Sequence, residues 1–225
     1  MDATQKSKYD IMLAPRKKLW STPIRAVDHA ITWTQGDLKP NDSICDIGCG
    51  DGRIILRWAE LYSQSKMDQS SNNEQSVAEN VSFLGIDVDP ERIQQCQNHL
   101  AKSRSEGLID DSVRVRFTCA NALEDTPGLL QQANIFFLYL IPRGLKLIYP
   151  VLMKHMADAK LSEIKVISFM NKLPGEKPKH RALVTVDHQP GAEWPLYYYK
   201  LKGSEQSDGL PINGSELMPG SGAGG

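Results

Sequence analysis

Apolar residues recur along this chain at two spacings, and the spacing changes at short polar breaks. Ile24, Val27, Ala30, Ile31 and then Trp33 or Thr34 come every three to four residues, the period of a helix with one buried face. Thr22 and Pro23 precede them: a side chain able to cap, and a proline suited to the first helical position. Gly36 to Pro40 ends that helix. Ser43 to Ile47 reads as a buried strand. Arg53 to Tyr62 returns to the helical period, with Ile54, Ile55, Trp58, Ala59 and Leu61 on its apolar face. Residues 63–80 are rich in Ser, Gln, Asn and charge, which predicts a mobile surface insertion.

Val81 to Asp87 is the second strand. Asp89 and Pro90 open the next helix, with Ile93, Cys96 and Leu100 along one side. Val113 to Phe117 alternates apolar with basic residues, as a strand near a sheet edge does. Ala133 to Leu140 is almost wholly apolar and suits a central parallel strand. Arg143 to Met156 is helical, and Ile164 to Met170 is a fifth strand. Arg181 to Asp187 and Trp194 to Lys200 are strands with no helix between them. Right-handed crossovers make the first five strands parallel, and the last pair is a hairpin. The expected class is therefore α/β: a doubly wound sheet of about seven strands, mostly parallel with one antiparallel strand, and helices on both faces. One folded domain spans residues 20–202, between a flexible arm at residues 1–19 and a Gly-, Ser- and Pro-rich disordered tail at residues 203–225.

Length allows one such domain and not two, since the chain has 225 residues. A formal net charge of −1 leaves no electrostatic footprint for nucleic acid or an anionic membrane, and neither is expected as a partner. No run approaches the ~18 apolar residues of a membrane span. The N-terminus lacks a signal-type apolar core, so the expected address is cytoplasmic, with a mitochondrial one as the alternative. Cys45, Cys49, Cys96 and Cys119 form no C-x-x-C pair and have no histidine cluster beside them. They read as reduced thiols of an intracellular protein, and no metal site is expected.

The chemistry concentrates at Asp46-Ile47-Gly48-Cys49-Gly50-Asp51-Gly52, where a strand runs through glycines at alternate positions into a helix. Such a turn lets a ligand approach the main chain. Its G-x-G-x-G spacing departs from the G-x-G-x-x-G of dinucleotide sites and lacks the lysine of a phosphate loop. Asp46 and Asp51 would repel a pyrophosphate, whereas a ligand with a cationic end suits them. S-adenosylmethionine has that charge. Gly48, Gly50 and Gly52 would leave room for its methionine part, and Asp46 would attract its ammonium. Asp87, closing the second strand, would take both ribose hydroxyls, with Asp89 as the fallback.

These residues, with Gly85-Ile86-Asp87 and Asn121-Ala122 downstream, resemble class I S-adenosylmethionine-dependent methyltransferases over about residues 20–200. The resemblance implies a Rossmann-like fold, S-adenosylmethionine as cofactor and S-adenosylhomocysteine as product. It adds Val88, Asn121, Ala122 and Leu138 to the cofactor residues. Asn121 stands where the superfamily usually has an acid facing the adenine amino group, and its amide oxygen can accept the same bond. Trp20-Ser21-Thr22-Pro23, Gly48 to Ile54 and Phe137-Leu138-Tyr139-Leu140-Ile141-Pro142 resemble motifs of small protein-lysine methyltransferases. Those are the relatives of the enzymes acting on the ATP synthase c subunit and the adenine nucleotide translocase. A protein lysine is thus the implied acceptor.

Methyl transfer requires alignment of a nucleophile with the sulfonium methyl and exclusion of water. A lysine must first lose its proton, which a dry apolar pocket favours. Phe136, Phe137, Leu138, Tyr139 and Pro142 could form one wall, with Tyr139 the candidate catalytic residue that orients the acceptor. The run Trp194 to Tyr199 is the last strand and a competing candidate for that wall. A small-molecule methyltransferase of the same fold and a non-catalytic cofactor-binding partner protein remain as alternatives.

Overall fold

Local sequence fixes most elements of this α/β chain, and the computed structural model describes them over residues 21–71, 78–124, 128–130, 132–186, 189 and 191–203. The elements are α1 (Ile24–Gln35), β1 (Ser43–Ile47), α2 (Arg53–Ser71), β2 (Ser82–Asp87), α3 (Pro90–Ser105), β3 (Arg114–Cys119), β4 (Ile135–Leu138), α4 (Pro142–Asp158), β5 (Glu163–Phe169), β6 (His180–Thr185) and β7 (Glu193–Lys202). The expected arm at residues 1–19 and all but the first residue of the expected tail lie outside the described residues.

The seven strands form one sheet in the order β3-β2-β1-β4-β5-β7-β6. Strands β1 to β5 pair in parallel, and β7 runs antiparallel to both its neighbours, β5 and β6. β7 is thus the single reversed strand, and β3 is an edge, both as expected. The chain winds outward from β1 to β3 and then returns to β4 on the other side of β1. That reversal opens a crevice past the carboxyl ends of β1 and β4, where ligands of such sheets bind.

Each face of the sheet has its own core. Helices α1, α2 and α3 bring Val27, Ile31, Trp58 and Ile93 onto Ile44, Phe83 and Phe137. Helix α4 brings Leu145, Ile148 and Leu152 onto Ile47, Leu84 and Phe136. At the amino edge, Asn134 joins β1 to β4: its Nδ2 donates to Asp42 Oδ1 (2.7 Å) and its Oδ1 accepts from the Ser43 N–H (2.9 Å).

Two expectations need correction. Thr22 does not cap α1. It is buried, Pro23 occupies the N-cap position rather than the first helical one, and no side chain caps this helix. Helix α2 also runs nine residues further than the pattern predicts, to Ser71, so much of the expected insertion at residues 63–80 is helical. The reason is a tertiary tie. Ser63 is fully buried and its hydroxyl accepts from the Asp110 N–H (2.9 Å), while Lys66 reaches Ser112 (3.4 Å).

Candidate functional site

Strand β1 delivers the chain into a turn with three glycines in the left-handed region, Gly48 (φ 81°), Gly50 (φ 55°) and Gly52 (φ 77°). Such angles are costly for residues with a Cβ. At Gly52 space adds a second demand, because a Cβ there would lie 2.9 Å from Cys96 Sγ and 3.0 Å from the Phe117 ring. The turn is fastened to β2: the Gly48 and Cys49 N–H groups both donate to the Ile86 carbonyl (2.8 and 2.9 Å). Gly85 serves the same fit from β2, since a Cβ there would sit 2.5 Å from Phe117 and 3.0 Å from Cys49 Sγ.

Two carboxylates flank this turn. Asp87 ends β2 and is buried. Its Oδ2 accepts from the Gly50 N–H (2.9 Å) and its Oδ1 from the Asp89 N–H (3.0 Å). Arg92 Nη1 lies 3.8 Å from Asp87. Asp89 is committed elsewhere: it caps α3, accepting from the Glu91 and Arg92 N–H groups. Asp87, the ribose candidate, is thus fastened to the glycine turn, and Asp89, its fallback, to the helix it caps.

Asp46 lies within β1 at 1 % exposure, and its Oδ2 meets no hydrogen-bond donor. Burial, then the nearby Asp87 and Asp51 carboxylates, push its pKa well above the usual carboxylate range. A buried carboxylate oxygen without a donor is an unsatisfied group that a cation at the turn would satisfy. Asp51 is neutralised by Arg53, whose Nη2 lies 2.6 Å from Oδ2. The same guanidinium reaches the Thr22 carbonyl (3.5 Å), tying the entry to α1 to the turn.

The remaining cofactor candidates gather at the same edge. Val88, just past Asp87, is 43 % exposed, an open apolar surface at the carboxyl end of β2. The Ala120 N–H donates to the Asp87 carbonyl (2.9 Å), which brings Asn121 and the buried Ala122 alongside. Asn121 Oδ1 accepts from the Leu123 N–H (3.1 Å) and its Nδ2 donates to Glu124 (3.2 Å). A second lone pair on that oxygen is free for a ligand donor. Leu138 pairs beside Ile47 with its side chain fully buried, so it offers a ligand only main chain.

Tyr139 leaves β4 half-buried, its ring edge-on to Phe169 at 5.1 Å. Phe169 in turn lies 6.0 Å from Trp194. The three rings form a row at the carboxyl ends of β4 and β5, with Phe169 fully buried beneath the half-buried Tyr139 and Trp194, whereas Phe136, Phe137 and Leu138, expected to share a wall with Tyr139, lie wholly in the core. The Tyr139 hydroxyl meets no partner among the described residues, and burial raises its pKa. Sequence reasoning missed the tight fit of Cys49, Cys96 and Phe117 under the turn. Cys96 Sγ donates to the Gly50 carbonyl (3.3 Å), and contact with Cys96, burial and Asp46 together raise the Cys49 pKa. Only the glycines at 52 and 85 signalled that packing. A cavity of about 530 Å³ lies elsewhere, at the amino ends of β1 to β3, lined by Arg104, Arg114 and Arg116 among others.

Among the described residues no helix is long and apolar enough to cross a membrane, and no cluster of three metal-binding side chains is found. No curated protein matches the chain in sequence. Residues 38–139 match a family model described as a methyltransferase domain. An RNA methyltransferase from Salinibacter ruber, solved with S-adenosyl-L-homocysteine, is 19 % identical with a TM-score of 0.57, over 84 % of this chain and 98 % of that one. An rRNA methyltransferase from Streptomyces viridochromogenes is 10 % identical with a TM-score of 0.52, over 83 % and 87 %. A magnesium protoporphyrin IX methyltransferase from Synechocystis, solved with bound cofactor, is 10 % identical with a TM-score of 0.52, over 80 % and 79 %. The Rossmann-like fold is what all four share.

Proposed function

We propose that this protein is a class I S-adenosylmethionine-dependent methyltransferase whose acceptor is a protein lysine. The observation that carries the cofactor is Asp46, a buried carboxylate with an oxygen awaiting a cation, set at a left-handed glycine turn. The methyltransferase-domain match over residues 38–139 covers this turn, Asp87 and Asn121. When bound, S-adenosylmethionine supplies a methyl group made electrophilic by its sulfonium.

The chain's own residues then divide the work. Asp46 holds the ammonium, and the main chain of Gly48 to Gly52 admits the methionine part. Asp87 takes the ribose hydroxyls. Val88 and Ala122 line the adenine slot, Asn121 accepts from the adenine amino group, and Leu138 closes the floor. Tyr139 orients the acceptor. The rings of Tyr139 and Trp194, backed by the buried Phe169, exclude water and favour the neutral amine over the ammonium form. That preference supports lysine, as does the near-neutral charge of the chain, which gives little attraction to RNA. Four unpaired cysteines fit a reducing, cytoplasmic setting.

Tritiated S-adenosylmethionine, incubated with the chain and a cell extract, tests this. Label should appear in protein and survive hydrolysis as methyl-lysine. Label confined to the acid-soluble fraction assigns a small-molecule acceptor instead, and label in RNA removes lysine. Tight cofactor binding without any transfer makes the chain a non-catalytic partner protein. Absence of cofactor binding by calorimetry would end all of these readings.

A further inference from the structure

Met170 stands directly after β5 with φ 71°, in the left-handed region. The other non-glycine residues there have local reasons. Asn41 and Asn80 carry the side chain that best tolerates it, and Lys160 follows the C-cap of α4. Met170 has neither reason. Its conformation is held from several sides. Its N–H donates to the Pro195 carbonyl (2.7 Å), and the Asn171 N–H donates to the Phe169 carbonyl (2.9 Å). The Ser168 hydroxyl donates to the Asn171 carbonyl (2.5 Å), and Asn171 Nδ2 donates to the Leu140 carbonyl (3.0 Å). Strain that the surroundings over-determine in this way marks functional positions.

The strain does not serve burial. Ile164 to Phe169 are all buried, yet Met170 is 39 % exposed. Its place in the sheet is informative. Apart from Leu138, whose side chain is fully buried in β4, the residues that suit the cofactor leave β1, β2 and β3, so the carboxyl ends of β4 and β5 remain for the acceptor. Asn171 clasps those two ends together through Leu140, one residue past Tyr139. Phe169, one residue before Met170, touches both Tyr139 and Trp194. A methionine offers an unbranched, polarizable surface that adapts to an apolar partner.

We infer that Met170 is a specificity-determining residue of the acceptor pocket, contacting an apolar stem or ring that carries the methylated atom. This rests on the methyltransferase reading above. The exposed Met170 follows Phe169 of the ring row, and the Asn171 clasp holds this end of β5 beside Tyr139 and Leu140.

The test compares the full-length chain with Met170→Gly and Met170→Leu. Three quantities are measured: thermal midpoint, calorimetric affinity for S-adenosylmethionine, and initial rate of tritium transfer into the protein, RNA and acid-soluble fractions of an extract. Glycine relieves the strained backbone, so Met170→Gly should melt about 2–4 °C higher. Its transfer should nevertheless fall about tenfold or more, the scale of a lost apolar contact, with cofactor affinity unchanged. Met170→Leu should restore most of the rate. A more stable Met170→Gly that transfers at the wild-type rate overturns the inference, and so does a Met170→Leu as slow as the glycine variant. A wild-type chain that binds the cofactor but labels no fraction also overturns it, because no acceptor pocket then exists. Failure to bind the cofactor at all would instead remove the reading beneath it.

Discussion

At Asp46 a carboxylate is sealed inside β1 with one oxygen unpartnered and two like charges, Asp87 and Asp51, as neighbours. Its pKa is raised in the folded chain, so the folded state holds a proton that the unfolded chain releases near pH 4. The stability linked to that proton is fully present below the unfolded pKa and is lost as pH rises toward the folded one. Asp46→Asn should therefore stabilise the cofactor-free chain at pH 7.5, by on the order of 1–3 kcal/mol, and give little gain at pH 4. The same change should weaken cofactor binding by roughly 2 kcal/mol or more, about thirtyfold. Denaturant melts and calorimetry read the two effects separately, and a variant that gains stability without losing affinity would release Asp46 from its assigned role. Asp87 predicts another pairing of signs. Its oxygens already satisfy the Gly50 and Asp89 N–H groups. Asp87→Ala should lower stability by about 1–3 kcal/mol as well as affinity, and a variant of wild-type stability would contradict the bonding described.

Between elements, Asn134 shows how one amide can serve as the joint between two strands. It donates to Asp42 and accepts from the Ser43 N–H, so the joint between β1 and β4 needs both halves of an amide. Asn134→Asp would set a carboxylate against that of Asp42, which is itself buried. We expect a loss of about 1–3 kcal/mol at neutral pH, recovered as pH falls into the carboxylate range, with cofactor affinity unaltered. Equal melts at pH 7 and pH 4 would refute the account. The role was illegible in the sequence because Asp42 and Asn134 lie 92 residues apart. The second half of α2 was hidden in the same way, since Ser63 meets Asp110 across 47 residues. The glycine turn was legible because its left-handed angles are demanded by the turn itself. Strand identities followed from runs such as Ser43 to Ile47, whose burial is a property of the run. The place of Tyr139 at the end of β4 was legible from the apolar run before it, whereas the backbone of Met170 was not, because a φ angle leaves no mark on a methionine.

Across the whole molecule, the two edges of the sheet hold opposite kinds of charge arrangement. At the amino edge Asp42 is satisfied by Asn134 and the Lys39 N–H, with Lys165 Nζ 3.9 Å away. At the carboxyl edge Asp46 is left uncompensated beside Asp87. A cationic ligand there should act on the global unfolding equilibrium. At a hundred times its dissociation constant it adds about 2.7 kcal/mol, or roughly 5–10 °C in the melting temperature of a chain this size. Asp46 must be ionised to attract an ammonium, and its pKa is raised, so this gain should depend on pH. In the lower range Asp46 keeps its proton and the shift with S-adenosylmethionine is small. As pH rises from the unfolded pKa toward the raised one, the free chain weakens while the bound chain does not, and the ligand-induced shift grows until it levels off above the raised pKa. Scanning fluorimetry from pH 5 to pH 8 at fixed cofactor concentration measures the trend. Asp46→Asn should flatten it. A shift that is level, or larger at pH 5, in the wild-type chain would mean that some other group meets the ammonium and that the orphaned oxygen of Asp46 has a different purpose.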